Sequence, residues 1–241
     1  MSQSLICLYG IQGVVLVSKS KLSPSVFYEG DTIEEIIDSG YEAFKNGFMN
    51  KDNRPRYKGK FIFFNMNNIV RVLNKEAVGE DDRFTSVQLS KCERFYHIIS
   101  IDKKEYSQVF PCYNTPEYET CEVECETVKA RGEFAYLSRV ECLYRLYRIH
   151  RISEVIELAN IDDEHIEQWV EEELDKRRNK VKKVYIRYTY GNDDYLVILK
   201  EKKQRDGNVF YEFITAFPVF LKRNKQQYRD AYREYKKRIK K

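Results

Sequence analysis

Histidine is the scarcest chemically useful residue in this sequence, with three in 241, at positions 97, 150 and 165. Acid–base chemistry near neutral pH therefore has few histidine candidates. Glycine is also sparse, at ten residues, and no G-x-x-x-x-G-K or G-x-G-x-x-G occurs. The loops that cradle nucleotide phosphates are missing, so kinase, NTPase and dinucleotide readings fall away. No segment approaches the ~18 consecutive apolar residues of a spanning helix, so no membrane partner is expected. Met1-Ser2-Gln3-Ser4 carries no basic residue, and the apolar run at 5–17 is interrupted by Tyr9, Gly10, Gln12 and Gly13. That is not the pattern of a signal peptide, and a cytoplasmic location is the expectation.

Cysteine is present but poorly spaced for metal. Cys112, Cys121, Cys125 and Cys142 contain only one close pair, whereas a four-thiolate zinc site is usually built from two. Glu122, Glu124 and Glu126 around that pair would raise the thiol pKa values. Reduced free thiols are the simpler reading, and neither metal nor any other cofactor is expected.

What the chain has in quantity is aromatic side chains and sorted charge. Nineteen Tyr and fourteen Phe within a hydrophobic content of 42% favour sheet-rich architecture. Residues 152–175 carry ten acids and no Lys or Arg, while residues 176–241 carry 21 Lys/Arg against 7 Asp/Glu. A cationic sheet of this kind suits a polyanion.

Turn and cap signals divide the chain into elements. Residues 5–9 and 14–18 read as an opening hairpin. Thr32-Ile33-Glu34-Glu35 is a capping box, and Ile33, Ile36, Ile37, Tyr41 and Phe44 follow at helical spacing. Phe61-Ile62-Phe63-Phe64 reads as a buried strand, 67–76 as a short helix and 95–101 as a strand. A helix is expected over 134–149, then two acidic-faced helices at 152–159 and 162–174. Strands at 181–190, 194–200 and 209–217 are joined by Gly191-Asn192 and Asp206-Gly207-Asn208, which are hairpin signals. Residues 224–239 form a final helix with Tyr228, Tyr232, Tyr235 and Ile239 on one side. The expected fold is α+β, with a C-terminal antiparallel sheet flanked by helices. A soft boundary after Gly132 suggests two units: 1–135, a small α+β unit of unassigned role, and 136–241, a basic α+β domain.

Within the second unit lies a triplet repeat, Leu143-Tyr144-Arg145, Leu146-Tyr147-Arg148, Ile149-His150-Arg151. On a helix it lays the arginines along one drifting stripe, with Leu143, Leu146, Ile149 and Ile152 along a buried one. Arg148 and Arg151 would lower the pKa of His150 toward a value useful for proton transfer, which makes it the histidine of choice. His97, in Phe95-Tyr96-His97-Ile98-Ile99, reads as structural. His165, among Asp162, Asp163, Glu164 and Glu167, reads as solvated.

Residues 145–235 resemble the phage-associated branch of the barnase–EndoU–colicin–RelE superfamily of small RNases. The resemblance rests on the Arg-rich lead into Arg151-Ile152, the acidic span, and Lys182-Lys183 before Val184-Tyr185-Ile186. It continues through Asp194-Tyr195-Leu196-Val197-Ile198-Leu199, Phe213-Ile214-Thr215-Ala216-Phe217 and a basic C-terminal helix. Ser153-Glu154 depart from it, where an apolar or aromatic residue is expected after Arg151-Ile152. The resemblance implies a metal-independent endoribonuclease, a toxin or phage-conflict effector, in which a ribose 2′-hydroxyl attacks the adjacent phosphate. It implies His150 as acid or base, Arg151 at the phosphate and Thr215 as a hydrogen-bond donor. It further implies Arg148, Lys183 and Arg187 as RNA-binding residues. RNA, tRNA included, would be the substrate, and an antitoxin or another protein a partner. Two other readings stay open on the same patches: a nucleic-acid-binding or regulatory module without catalysis, and a protein that docks an oppositely charged partner.

Overall fold

The computed structural model describes residues 20–73, 83–104, 131–175 and 178–240. The expected opening hairpin and Cys112, Cys121 and Cys125 lie outside the described residues. Helix α1 (Ile33–Phe44) starts where the capping box places it. Thr32 Oγ accepts the Glu35 N–H, and Glu35 Oε2 accepts the Thr32 N–H, each at 3.2 Å. Both N–H groups are ones that a helix start leaves unpaired. The helix continues into a π-helical turn, Lys45–Met49. Gly40 is required where α1 meets the Leu146 side chain, because a Cβ there would lie 2.5 Å from Leu146 Cδ1.

The elements then run β1 (Arg56–Tyr57), β2 (Lys60–Phe63), β3 (Ile69–Leu73), β4 (Phe84–Gln88), α2 (Glu93–Ile98) and β5 (Ser100–Asp102). After them come α3 (Gly132–Tyr136), β6 (Arg139–Glu141), α4 (Leu143–Leu146), α5 (Arg151–Asn160) and β7 (Ile166–Leu174). The last are β8 (Lys180–Tyr190), β9 (Asp193–Lys203), β10 (Val209–Pro218) and α6 (Lys222–Ile239). Six strands form one sheet in the order β1-β2-β10-β9-β8-β7, while β3–β4 and β5–β6 are separate ribbons. The three C-terminal strands are antiparallel as expected, with Gly191 at φ 56° turning β8 into β9. The fold is α+β.

The sheet has two different faces. On one, Tyr188, Tyr195, Val197, Leu199, Tyr211 and Phe213 pack into the main core with Ile37 and Phe44 of α1, Phe95 of α2 and Ile152, Val155 and Ile156 of α5. On the other, Trp169, Tyr185, Leu196 and Ile198 form a smaller core under Tyr228, Tyr232 and Tyr235 of α6. Trp169 stacks on Tyr185 with ring centroids 4.9 Å apart.

Four element readings are corrected. Residues 162–174 contain a strand rather than a helix: β7 pairs with β8, setting Glu171 opposite Lys183 and Glu172 opposite Lys182. Cross-strand charge pairing thus replaces the acidic helical face expected over 162–174. Residues 69–73 are the strand β3, whose Val70 points inward, not a helix. Residues 93–98 form α2, and only Ser100–Asp102 is strand. The span 134–149 is not one helix: Ser138 at φ 54° ends α3, and β6 pairs with β5 before α4 begins.

The expected division at residue 135 does not divide the core. Strand β2 lies parallel to β10, with Ile62 beside Tyr211 and Phe63 beside Glu212. Phe44, Phe48 and Phe64 from the first part pack with Phe213 from the second, and Phe64 and Phe213 stack at 5.1 Å. Residues 136–241 alone would expose this aromatic cluster. Expressed separately, they are expected to lack a cooperative thermal transition, which circular dichroism against the full chain will check.

Candidate nucleic-acid interface

The three residues expected to act together do not meet. His150 is the N-terminal cap residue of α5, which packs on the main-core face. Arg151 donates from Nε and Nη2 to Ser23 O and from Nη1 to Asp193 Oδ1 at 2.8 Å. Thr215 is opposite Ile198, and so belongs to the α6 face. The register of β10 on β9 shifts by one residue between Phe213 and Thr215. This bulge ends the alternation that would have kept Thr215 beside Phe213. His150 and Thr215 are therefore on opposite sides of the sheet and cannot hold one phosphate. Both His150 ring nitrogens are buried without a hydrogen-bond partner, although the Ser23 and Pro24 backbone is close by. Burial holds its pKa below the ordinary value, while Glu154 opposes the shift.

The expected RNA-binding residues are also internal or already paired. Arg187 is 2% exposed and grips Asp194 with two bonds, Nε to Oδ1 at 2.8 Å and Nη2 to Oδ2 at 2.6 Å, and Glu167 through Nη1 at 3.1 Å. Lys183 reaches Glu173 Oε2 at 2.5 Å. Arg148 is buried, its guanidinium 3.5 Å from the centroid of the Tyr144 ring. Arg187 thus balances the buried Asp194, whereas the Lys183–Glu173 pair is partly exposed. Cys142 is buried and in no disulfide, and among the described residues no cluster of three His, Cys, Asp or Glu side chains could hold a metal ion.

A different surface emerges at the end of the α6 face that the helix leaves open. Directly opposed residues share a face. Phe63 lies beside Glu212, Glu212 opposite Lys200 and Lys200 opposite Lys183, with Phe210 opposite Lys202 in the next row. Phe61, two residues from Phe63, points the same way. Phe61 and Phe63 are each 42% exposed, while their neighbours Ile62 and Phe64 are buried. Arg54, anchored on Phe48 O and Met49 O, holds its guanidinium 5.3 Å from the Phe61 centroid. Helix α6 carries eight Lys/Arg against two Asp/Glu and buries no residue fully. Sequence reasoning missed Phe61 and Phe63 because four consecutive apolar residues conceal a period of two.

At the other end of this face, the β8–β9 turn and the start of α6 enclose a polar cleft of about 300 Å³, lined by Glu167, Arg187, Thr189, Asp194, Lys225 and Arg229. Burial pushes the Glu167 carboxyl above its usual range, although Arg187 pulls the other way.

The chain matches no protein-family model, no curated protein and no solved structure. No described helix is long and apolar enough to cross a membrane.

His97 supplies a pH dependence. Burial, helped by the charges of Arg139, Arg94 and Arg145, holds its pKa at about 3. The unfolded chain takes up this proton near the ordinary value of 6.5, so acidification favours unfolding across that window. Urea midpoints should fall from about pH 6.5 to about pH 3, and His97→Gln should flatten that slope relative to wild type.

Proposed function

We propose that this chain binds single-stranded nucleic acid, with bases stacked on Phe61, Phe63 and Phe210 and the backbone running past Lys200, Lys202 and the basic surface of α6. The observation that carries the reading is the pair of exposed phenylalanines on one sheet face, in the same rows as these lysines. An exposed aromatic ring offers every base a stacking surface, and flanking cations hold the phosphates without reading sequence. Exposed rings on a sheet face also suit a single strand better than a duplex, whose bases are already stacked.

Cleavage of the bound strand is a second reading, favoured by the polar cleft. Glu167, whose carboxyl burial pushes above its usual range, is the carboxylate of the cleft suited to general-base work. In this reading it takes the proton of a ribose 2′-hydroxyl as the 2′-oxygen–phosphorus bond forms and the bond to the 5′-oxygen breaks, the departing 5′-oxygen being protonated from solvent. Lys225 and Arg229 line the same cleft and would hold the phosphate. This reading replaces the separated set of His150, Arg151 and Thr215.

Fluorescence anisotropy with a labelled uridine oligomer, its duplex and a matching DNA strand tests the binding. Each of Phe61→Ala and Phe63→Ala should weaken single-strand affinity by about 1–3 kcal/mol. Duplex should bind more weakly, and affinity should fall with salt at a slope of roughly 0.7 per phosphate contacted. Affinity unchanged in the double variant would sink the stacking surface, and retention of no nucleic acid would favour a protein partner instead. Incubation with RNA in EDTA separates the two readings: cyclic-phosphate ends lost in Glu167→Gln support cleavage, and intact RNA limits the chain to binding.

A further inference from the structure

Arg54 borders the exposed rings of the sheet and is held there by the chain itself. Its Nε donates to Phe48 O at 2.6 Å and its Nη2 to Met49 O at 3.2 Å. These two nitrogens form the side-on edge of the guanidinium, so the direction of the head is fixed. Its central carbon lies 5.3 Å from the centroid of the Phe61 ring, which is 42% exposed. Nη1 makes no hydrogen bond, yet it is not closed off in the interior. The end-on edge of the guanidinium, one N–H from each Nη, therefore stays open.

The charge of this arginine is also uncompensated. Burial disfavours its charged form, and among the described residues no carboxylate forms an ion pair with it. Arg151 and Arg187, by contrast, each meet an aspartate. Lys200 and Lys202 carry flexible stems and follow a phosphate as point charges. A planar donor pair fixed beside a ring is matched by two adjacent acceptors in one plane. Guanine offers O6 and N7, and the pairing edge of cytosine offers N3 and O2. Adenine places its amino group between N1 and N7, and uracil places N3–H between O2 and O4, so neither presents such a pair on these edges. A phosphate has two oxygens to offer, but it is common to every strand and confers no preference.

We propose that Arg54 determines base preference at this surface, its end-on edge donating to the paired acceptors of a guanine or a cytosine that rests beside Phe61. The inference depends on the single-strand binding proposed above and adds to it a selection between bases. Its ligand class is a single strand with guanine or cytosine at that position.

Fluorescence anisotropy of the full chain tests it, with uridine oligomers whose central base is guanine, cytosine, adenine or uracil. The guanine strand, the cytosine strand or both should bind at least about fivefold more tightly than the adenine and uracil strands. 7-Deazaguanine lacks N7 and 3-deazacytosine lacks N3, with the backbone charge unchanged. Each should remove the gain of its parent, which tells which base supplies the acceptors. Arg54→Lys keeps the positive charge and lacks the planar edge, so its affinity ratio between the strands should fall to about one. Equal affinity of the wild type for all the strands overturns the proposal while leaving the stacking surface in place, and so does a ratio unchanged in Arg54→Lys. Binding of no strand removes the surface and this inference with it. Should Arg54→Lys fail to fold, the deaza strands decide, and a gain retained by both overturns the proposal.

Discussion

The short parallel pairing of β2 with β10 is the constraint on which the rest of the molecule depends. Antiparallel neighbours such as β8, β9 and β10 come from turns of a few residues, but β2 reaches β10 only after a crossover that includes most of the chain. The entropy of closing such a connection grows slowly with its length, so a few well-packed side chains can hold it. Ile62, Phe64, Phe48 and Phe213 provide them, with Tyr57 edge-on to Tyr211 at 5.0 Å. The same pairing decides the other face. Once Ile62 is fixed in the core, the period of the strand obliges Phe61 and Phe63 to point to solvent beside Phe210 and Glu212. One register thus builds the core and exposes the aromatic surface.

The elements legible in the sequence are those whose signals were local. The capping box of α1, the Gly-containing turns on either side of β9 and the tyrosine stripe of α6 needed no distant partner. The misread elements depended on one. Glu171, Glu172 and Glu173 look like a solvated helix face until Lys182 and Lys183 are placed across from them. Phe95-Tyr96-His97-Ile98-Ile99 has high strand propensity, yet its residues form a helical turn because Phe95, Tyr96 and Ile98 must all reach the interior. Tertiary burial overrides that preference. The bulge after Phe213 left no mark in the sequence, and it alone moved Thr215 to the wrong face for the expected site.

The triplet repeat was legible as a period but not as a structure. From Arg148 to Ser153, Arg148, Ile149, Arg151, Ile152 and Ser153 each donate their N–H three residues back, to Arg145, Leu146, Arg148, Ile149 and His150. That is 3₁₀ geometry, in which residues at i and i+3 lie directly in line. Over 148–153 a repeat of three residues matches a turn of three, although the first half of the repeat, in α4, keeps the α-helical bonds of Leu146 N–H to Cys142 O and Tyr147 N–H to Leu143 O. Leu146, Ile149 and Ile152 all reach the main core, and Arg145, Arg148 and Arg151 are all buried. The arginines are there to satisfy the chain itself. Arg145 donates to Ser100 O and packs on Phe217 and Phe220, while Arg151 fastens residue 23 and the β8–β9 turn.

Charge sorting along the sequence selected arginines that the fold takes out of water. Net charge along a sequence counts every ionised side chain equally, whereas a polyanion meets only those that remain in water. Arg187 is closed off by Asp194 and Glu167, Lys182 and Lys183 face the glutamates of β7, and Arg148 and Arg151 are inside. Setting aside the buried Arg187, Arg148 and Arg151 leaves Lys200 and Lys202 on the sheet, together with the partly exposed pairs of Lys182 and Lys183, and the cations of α6 beside it. Lys202 is still drawn toward Glu212 at 3.3 Å, but that pair is partly exposed, and exposed pairs exchange readily for a phosphate. The surviving positive charge therefore borders a part of the six-stranded sheet where Phe61 and Phe63 are exposed, a coincidence that neither charge nor hydrophobicity shows alone.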